Sequence, residues 1–169
     1  MIGTFTSLWN RVFAVLGRVS MYRLALLSLA GLALVAFVVS FFGFVAPTPV
    51  ELLVSAALLA VVCALVDAAA QAVVKLPWRI ESSLITAGIL LFILRPTLEP
   101  AGLAGLALAG AGASLSKYVL AWRGRHIFNP AAAGAAALTI VSIWLPDLGA
   151  SSWWVGTPVL AAPVLILGL

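Results

Sequence analysis

Long uncharged apolar segments, separated by short polar ones, constrain this chain more than any other feature of its sequence. Two of them, about 24–45 and 52–74, contain one acid inside their apolar runs and no base. As helices that rise about 1.5 Å per residue, both are long enough to cross a hydrocarbon core. Because 64% of the residues are hydrophobic and 8% are charged, the chain cannot build the polar shell of a soluble domain. The sequence predicts an all-α polytopic membrane protein in contact with the lipid bilayer.

Further apolar segments predict a five-helix repeat and the beginning of a sixth span. They lie at about 82–94, 101–122 and 127–145, and the chain becomes apolar again from Pro158. The segment 82–94 is only about 20 Å long as a helix, so it must tilt, place its flanking residues at the interface, or be re-entrant. Four glycines in 101–122 predict close helix packing. Because the stretch from Pro158 to the end is too short to cross a bilayer, we expect a truncated part of a longer protein.

The chain divides into three parts on this evidence. Residues 1–21 form a predicted amphipathic helix on the membrane surface, since apolar residues recur there at helical spacing. Residues 22–147 form the five-span membrane repeat. Residues 148–169 form an outer loop and the start of the sixth span.

The distribution of basic residues predicts the orientation of these spans. Eight of the nine Lys and Arg residues fall on one side of the alternating spans, and only Arg95 falls on the other. The positive-inside rule therefore predicts a multi-pass protein of the inner or plasma membrane with a cytoplasmic N-terminus. The same distribution explains the net charge of +4 without a nucleic-acid partner.

Asp67 is the most costly residue in the predicted spans, since an acid inside a span costs about 2.5–3.5 kcal/mol on insertion scales. One interpretation is a proton or ion site, or a hydrogen bond to a cofactor. The other is a structural carboxylate near the end of its span that pairs with Gln71, Lys75 or the region of Arg79. The residues alone favour neither.

For the other polar candidates, the sequence pattern favours a structural role over a ligand-binding one. Asn129 before Pro130 is typical of a helix N-cap, although it could present polar groups to a ligand. The basic residues Lys117, Arg123, Arg125 and His126 could hold a phosphate or an anionic lipid headgroup, but any cytoplasmic loop is similar in composition. Trp153 and Trp154 resemble interfacial belt residues, and Thr157 is a candidate N-cap. No residue pattern indicates a catalytic triad or a metal site.

Four segments in order carry a resemblance to a known family. They are 82–91 (Ser-Ser-Leu-Ile-Thr-Ala-Gly-Ile-Leu-Leu), 95–96 (Arg-Pro), 116–118 (Ser-Lys-Tyr) and 123–131 (Arg-Gly-Arg-His-Ile-Phe-Asn-Pro-Ala). The series resembles the N-terminal half of the D-type membrane subunit of Rnf electron-transport complexes. It is also similar to the B-type subunit of the sodium-pumping NADH:quinone reductase. The likeness covers about residues 50–145, and Asp67 lies where that family tends to have an acid in its second span.

This resemblance implies a membrane subunit of a flavin-dependent electron-transport oxidoreductase, working with other subunits or a fused flavoreductase domain. The implied cofactor is FMN or riboflavin, with Gly156, Thr157, Asn129, Lys117 and Arg123 as candidate binding residues. In the family, FMN is attached to a threonine that follows an acid and a small hydroxyl residue. Residues 152–155 read Ser-Trp-Trp-Val here, which argues against covalent attachment at Thr157.

The residues also allow a different class of function. A short third span, Pro96 and an interrupted start of the fifth span are typical of transporters with broken helices. A channel or transporter for a small solute is therefore the alternative prediction.

Overall fold

The computed structural model describes residues 20–77, 79–122 and 125–168 as a bundle of α-helices. The helices are α1 (Met21–Ser40), α2 (Pro49–Val73), α3 (Ile80–Ile93), α4 (Pro100–Val119), α5 (Pro130–Val141) and α6 (Pro158–Gly168). A short 3₁₀ turn, Pro146–Leu148, follows α5. The amphipathic helix predicted for residues 1–21 lies almost entirely outside the described residues. The predicted mostly helical fold is confirmed, and α1 and α2 are long and apolar enough to cross a membrane.

One part of the all-α prediction is wrong. The fourth apolar segment was expected to remain helical to Trp122, but α4 ends at Val119 and two short antiparallel strands follow it. These are β1 (Ala121–Trp122) and β2 (Arg125–His126). The amide of Ile127 also donates to the Leu120 carbonyl at 3.0 Å, so backbone groups beyond the helix find partners in the hairpin instead of in a further helical turn.

Local sequence explains where the helices begin. At the start of α2, Glu51 accepts a hydrogen bond from the Thr48 amide at 2.7 Å, and the Thr48 hydroxyl accepts one from the Glu51 amide at 3.3 Å. This capping box satisfies two amides that the helix leaves without partners. Proline occupies the first position of α2, α4, α5 and α6, where its missing N–H costs nothing.

Helix α3 lies at the centre of the bundle. It packs against α1, α2, α4 and α5, and it contributes Leu90, Leu91 and Ala87 to the main core. Its 14 residues correspond to about 21 Å of helix. The short third span predicted from the sequence is thus a short helix that is surrounded by other helices.

The chain beyond α3 is extended, and Leu94 and Pro96 in it are buried. Arg95 precedes Pro96, and a residue before proline is disfavoured in a helix, so α3 ends at Ile93. The Ile93 carbonyl accepts hydrogen bonds from the amides of Ser152 at 2.8 Å and Trp153 at 3.2 Å. The Leu91 carbonyl accepts one from Trp154 Nε1 at 2.8 Å. The loop before α6 therefore satisfies carbonyls that the end of α3 would otherwise leave unpaired.

The sequence predicts that Trp153 and Trp154 are both interfacial belt residues, and for Trp154 this prediction is wrong. The Trp153 residue is 71% exposed, whereas Trp154 is 7% exposed and packs in a core cluster with Phe92. We call this end of the bundle, formed by residues 94–99 and 147–157, the tryptophan end. The opposite end carries Gln71, Arg79, Lys117 and His126, and we call it the basic end.

Glycine allows α4 and α5 to approach closely. A Cβ atom at Gly134 would overlap the Ala109 carbonyl oxygen and lie 2.7 Å from the Cβ of Ala113. The close packing predicted for the glycine-rich segment is present, since Gly105 packs against Leu148 and Gly110 against α2, and Gly134 of α5 adds a close contact with α4.

We expect Gly134→Ala to lower the free energy of unfolding by about 1–3 kcal/mol, because the added methyl group forces the two helices apart. Gly112→Ala is the matched control, since the nearest atom to its Cβ would be 3.9 Å away. Alanine is the better helix former, so the control should be neutral or stabilising. Thermal unfolding in detergent measures both variants, and equal stability of the two would contradict this packing.

Candidate functional site

The Asp67 carboxylate is completely enclosed by the protein. It lies in the last third of α2, and its side chain has no exposure to solvent. A buried carboxylate is stable only when charge and hydrogen bonds replace the water it has lost. The surroundings of Asp67 therefore show what this part of the fold is built to hold.

Three side chains donate hydrogen bonds to this carboxylate. Lys117 Nζ and the Ser83 hydroxyl each lie 2.6 Å from Oδ2, and the Tyr118 hydroxyl lies 3.1 Å from Oδ1. The lysine comes from α4 and the serine from α3, so three helices meet at one carboxylate. Charge-assisted hydrogen bonds of this kind are about twice as strong as those between neutral groups.

Lys117 is also fully engaged. Besides Asp67, its Nζ donates to the Ser82 carbonyl oxygen and to the Ser82 hydroxyl, both at 3.3 Å. An ammonium group has three N–H donors, and here each has an acceptor. Its side chain is 9% exposed. The Lys117 side chain thus separates the buried Asp67 carboxylate from the basic end.

The sequence brings these groups together through helix geometry. Cys63, Asp67 and Gln71 are spaced four residues apart on α2, so they share one face, and all three are buried. Gly110 and Ser114 let α4 pack against that face. The Ser114 hydroxyl donates to the Cys63 carbonyl at 3.3 Å, and the Cys63 thiol lies 3.7 Å from the Gly110 carbonyl. The next turn of α4 then places its lysine beside Asp67.

The partners proposed for Asp67 from the sequence are wrong. Gln71 accepts a hydrogen bond from the backbone amide of Arg79 at 3.1 Å, and Lys75 lies in the exposed turn after α2. The actual partner, Lys117, is 50 residues away along the chain. No local spacing identifies such a pair, although Lys117 and Tyr118 belong to the segments that carry the family resemblance.

The remaining candidate residues fall at two ends of the bundle. Asn129 caps α5 by accepting hydrogen bonds from the amides of Ala131 at 3.0 Å and Ala132 at 3.3 Å, which confirms its N-cap interpretation. Arg123 lies outside the described residues. Gly156 and Thr157 are at the tryptophan end, so the structure does not bring them together with Lys117 and Asn129.

Thr157 lies beside an apolar cavity of about 500 Å³. Leu32, Phe92, Trp153 and Val155 contribute to its walls. The Thr157 hydroxyl oxygen is buried, and no described residue forms a hydrogen bond with it. The expected capping bond to α6 is therefore not made by this side chain.

The tryptophan end contains a second cavity of about 500 Å³, which is more polar. It is lined in part by Arg95, Glu99, Asp147 and Ser152. The basic end contains a cavity of about 410 Å³, with Lys117 and Tyr118 in its wall. The Asp67 cluster thus lies directly behind the surface of the basic-end cavity.

The cluster is suited to holding a charge pair and two hydroxyl groups in fixed positions. Across the described ranges, no three His, Cys, Asp or Glu side chains are grouped so that they could hold a metal ion. Each polar group around Asp67 has a partner, so a metal cation could bind this carboxylate only by displacing one of its hydrogen-bond donors.

We expect Asp67→Asn to destabilise the fold by about 3–5 kcal/mol, because it leaves the Lys117 charge buried without a counter-ion. The double variant Asp67→Asn with Lys117→Met should lose less stability than the two single variants lose together. Denaturant unfolding of all four proteins gives the coupling energy, and additive losses would contradict a direct pair.

Glu81→Gln is the matched control for the same acid-to-amide change. Glu81 lies 3.7 Å from the Arg23 Nε, in a pair whose side chains are 39% and 68% exposed. Exposed pairs of this kind contribute about 0–1 kcal/mol. If Glu81→Gln lowered the free energy of unfolding as much as Asp67→Asn does, burial would not be the cause of the loss.

Comparison of the whole chain with protein-family models, with curated proteins and with solved structures found no match. The role of the cluster must therefore be inferred from its residues, its geometry and the family resemblance of the four segments.

Proposed function

We propose that this chain is a multi-pass membrane protein whose α-helices are its spans. Several polar side chains are buried between the helices, while many large apolar side chains are exposed along them, which is unusual for a soluble protein. Asp67, Ser55, Ser83 and Ser114 have no exposure, whereas large apolar side chains are exposed along the helices. Those with at least 40% exposure include Leu27, Leu34, Leu53, Leu65, Leu108, Ile140 and Ile166. Contact with lipid explains both observations.

The proposed orientation places the basic end in the cytoplasm. Successive helices run in opposite directions, so Arg23, Arg79 and Lys117 belong to one end and Arg95 to the other. This is the asymmetry that the positive-inside rule requires. It places the N-terminus in the cytoplasm and the loop before α6 on the opposite side of the membrane.

Cysteine labelling in intact cells tests this topology. We expect His126→Cys to be protected from an impermeant maleimide until the membrane is permeabilised, while Ser152→Cys reacts at once. Both positions are exposed, and the native Cys63 is buried, so it should remain unlabelled as an internal control. Labelling of both variants from the same side would contradict the topology.

We further propose that the chain is a subunit of a flavin-dependent electron-transport complex of the Rnf or sodium-pumping NADH:quinone reductase type. One observation carries this proposal. Asp67, the Ser82-Ser83 pair and the Lys117-Tyr118 pair come from separate parts of the family resemblance, and they meet in one hydrogen-bonded cluster. Three separate parts of the resemblance thus contribute to one cluster, which supports the proposal.

The apolar cavity at the tryptophan end supports a place for the flavin ring. Its volume of about 500 Å³ is within the usual range for small-molecule sites, which are mostly apolar and aromatic. The buried Thr157 hydroxyl offers a hydrogen bond that no described residue uses. No Lys or Arg is among the described residues that line this cavity, so the cavity suits the ring better than the phosphate of FMN.

The protein's contribution would be to orient the flavin and to tune its potential, while the redox chemistry is that of the cofactor. Thr157 and Gly156 are the proposed contacts at the tryptophan end. Lys117 and Asn129 are proposed to act at the basic end, where a second redox protein or a fused flavoreductase domain would bind. Asp67 serves there as the counter-ion that keeps Lys117 in place.

We expect the full chain, purified in mild detergent, to show a flavin absorption band and to release that flavin on denaturation. Thr157→Ala should weaken flavin binding about fivefold, the usual effect of losing one neutral hydrogen bond. Ser151→Ala, at the same end but outside this cavity, is the control. A colourless protein that releases no flavin would refute the proposal, and flavin that stays with the precipitated chain would show covalent attachment.

A small-solute transporter is the second candidate, favoured by a separate observation. Helix α3 stops early, its extended continuation is partly buried, and polar cavities open at both ends of the bundle. Broken helices with access from two sides are typical of transporters. Solute flux through proteoliposomes made with a flavin-free protein would support this function over the redox one.

A further inference from the structure

The cavity at the basic end has a lining that neither proposed function explains by a bound ligand. It has a volume of about 410 Å³, which is enough for a small ligand or a lipid headgroup. Residues from α1, α2, α3, α4 and β2 contribute to its walls. Its polar lining residues include Gln71, Arg79, Glu81, Ser82, Lys117 and His126.

The charges around this cavity do not cancel. Lys117 is balanced by Asp67 at 2.6 Å, and Glu81 is balanced by Arg23 at 3.7 Å. Arg79 forms no salt bridge with any residue in the described ranges. Its guanidinium is permanently charged, so the lining carries an excess positive charge that an anion would neutralise.

The Glu81 carboxylate is an acceptor and opposes an anion, whereas Gln71 and Ser82 offer donors to this cavity. Because Gln71 Oε1 accepts from the Arg79 amide, its side chain presents N–H donors, of which one is directed at the Tyr118 hydroxyl and one is left for a ligand. The Ser82 oxygen accepts from Lys117, which leaves its hydroxyl hydrogen free to donate. The Asp67 carboxylate is enclosed behind Lys117 and cannot repel a ligand directly.

The start of α3 adds to this preference. Arg79 occupies the N-cap position of that helix, and no side chain caps the first-turn amides. Helix N-termini carry a partial positive charge and amides that favour anions. Glu81 and Ser82 of this first turn line the cavity, so the helix start faces the same space as the arginine.

We propose that this cavity binds a phosphate group, with Arg79 as its charged contact and Gln71 and Ser82 as neutral donors. A guanidinium can bind phosphate oxygens with two parallel hydrogen bonds. The phosphate could belong to the headgroup of an anionic phospholipid or to a free phosphate ion. The proposal does not depend on the flavin, and it holds equally for a redox subunit and for a transporter.

The test uses the detergent-purified full chain and two probes. Inorganic phosphate is titrated while thermal stability is followed, with chloride at equal ionic strength as the reference. Phosphatidic acid is titrated into nanodiscs of phosphatidylcholine that contain the protein. Binding of either probe supports the site, and the probe that binds more tightly identifies the source of the phosphate. No binding of either probe beyond its reference would overturn the proposal.

Variants separate this site from general surface charge. We expect Arg79→Gln to weaken binding at least about tenfold, since a charged hydrogen-bonding partner is lost, and Arg79→Lys to restore part of it. Arg95→Gln, at the opposite end, should bind as the unchanged protein does. The variants must unfold at the same temperature without ligand as the unchanged protein. Equal losses for Arg79→Gln and Arg95→Gln would show diffuse electrostatic attraction instead of a site.

Discussion

The ion pair between Asp67 and Lys117 is the interaction on which the rest of the bundle depends. Three helices supply the groups that surround the Asp67 carboxylate, so α2, α3 and α4 cannot shift against one another without exposing or unpairing a charge. Removing one partner of such a pair lowers stability more than replacing both partners by apolar residues, because the other charge stays buried. The pair therefore determines the register of three helices as well as contributing to stability.

The same pair separates two regions with different chemistry. On its outer side lies the basic-end cavity, where arginine and neutral donors remain available because Lys117 is already engaged. At the opposite end, the loop before α6 satisfies the last carbonyls of α3 and borders an apolar cavity beside Thr157. An electron-transfer subunit with a flavin at one end and a partner at the other would use this arrangement, and so would a transporter with two points of access.

Much of the fold could be predicted from the sequence, because apolar length and helix-start signals are local properties. Six helices lie where the apolar segments predicted them, with ends shifted by a few residues, and Asn129 caps α5 as expected. The hairpin after α4 was missed, since its backbone pairing joins residues on both sides of a short connection. The burial of Trp154 was missed because its partner, the Leu91 carbonyl, lies 63 residues away.

For the candidate site, the sequence by itself determined that Asp67 needs a partner, because an acid in an apolar segment is costly wherever the segment is placed. It also determined that basic residues gather at one end. Only the tertiary structure decided that Lys117, Ser83 and Tyr118 are the partners, and that Thr157 lies at the end opposite Lys117. The physical reason is that hydrogen bonding acts over about 3 Å of space, while the groups it joins here are up to 51 residues apart along the chain.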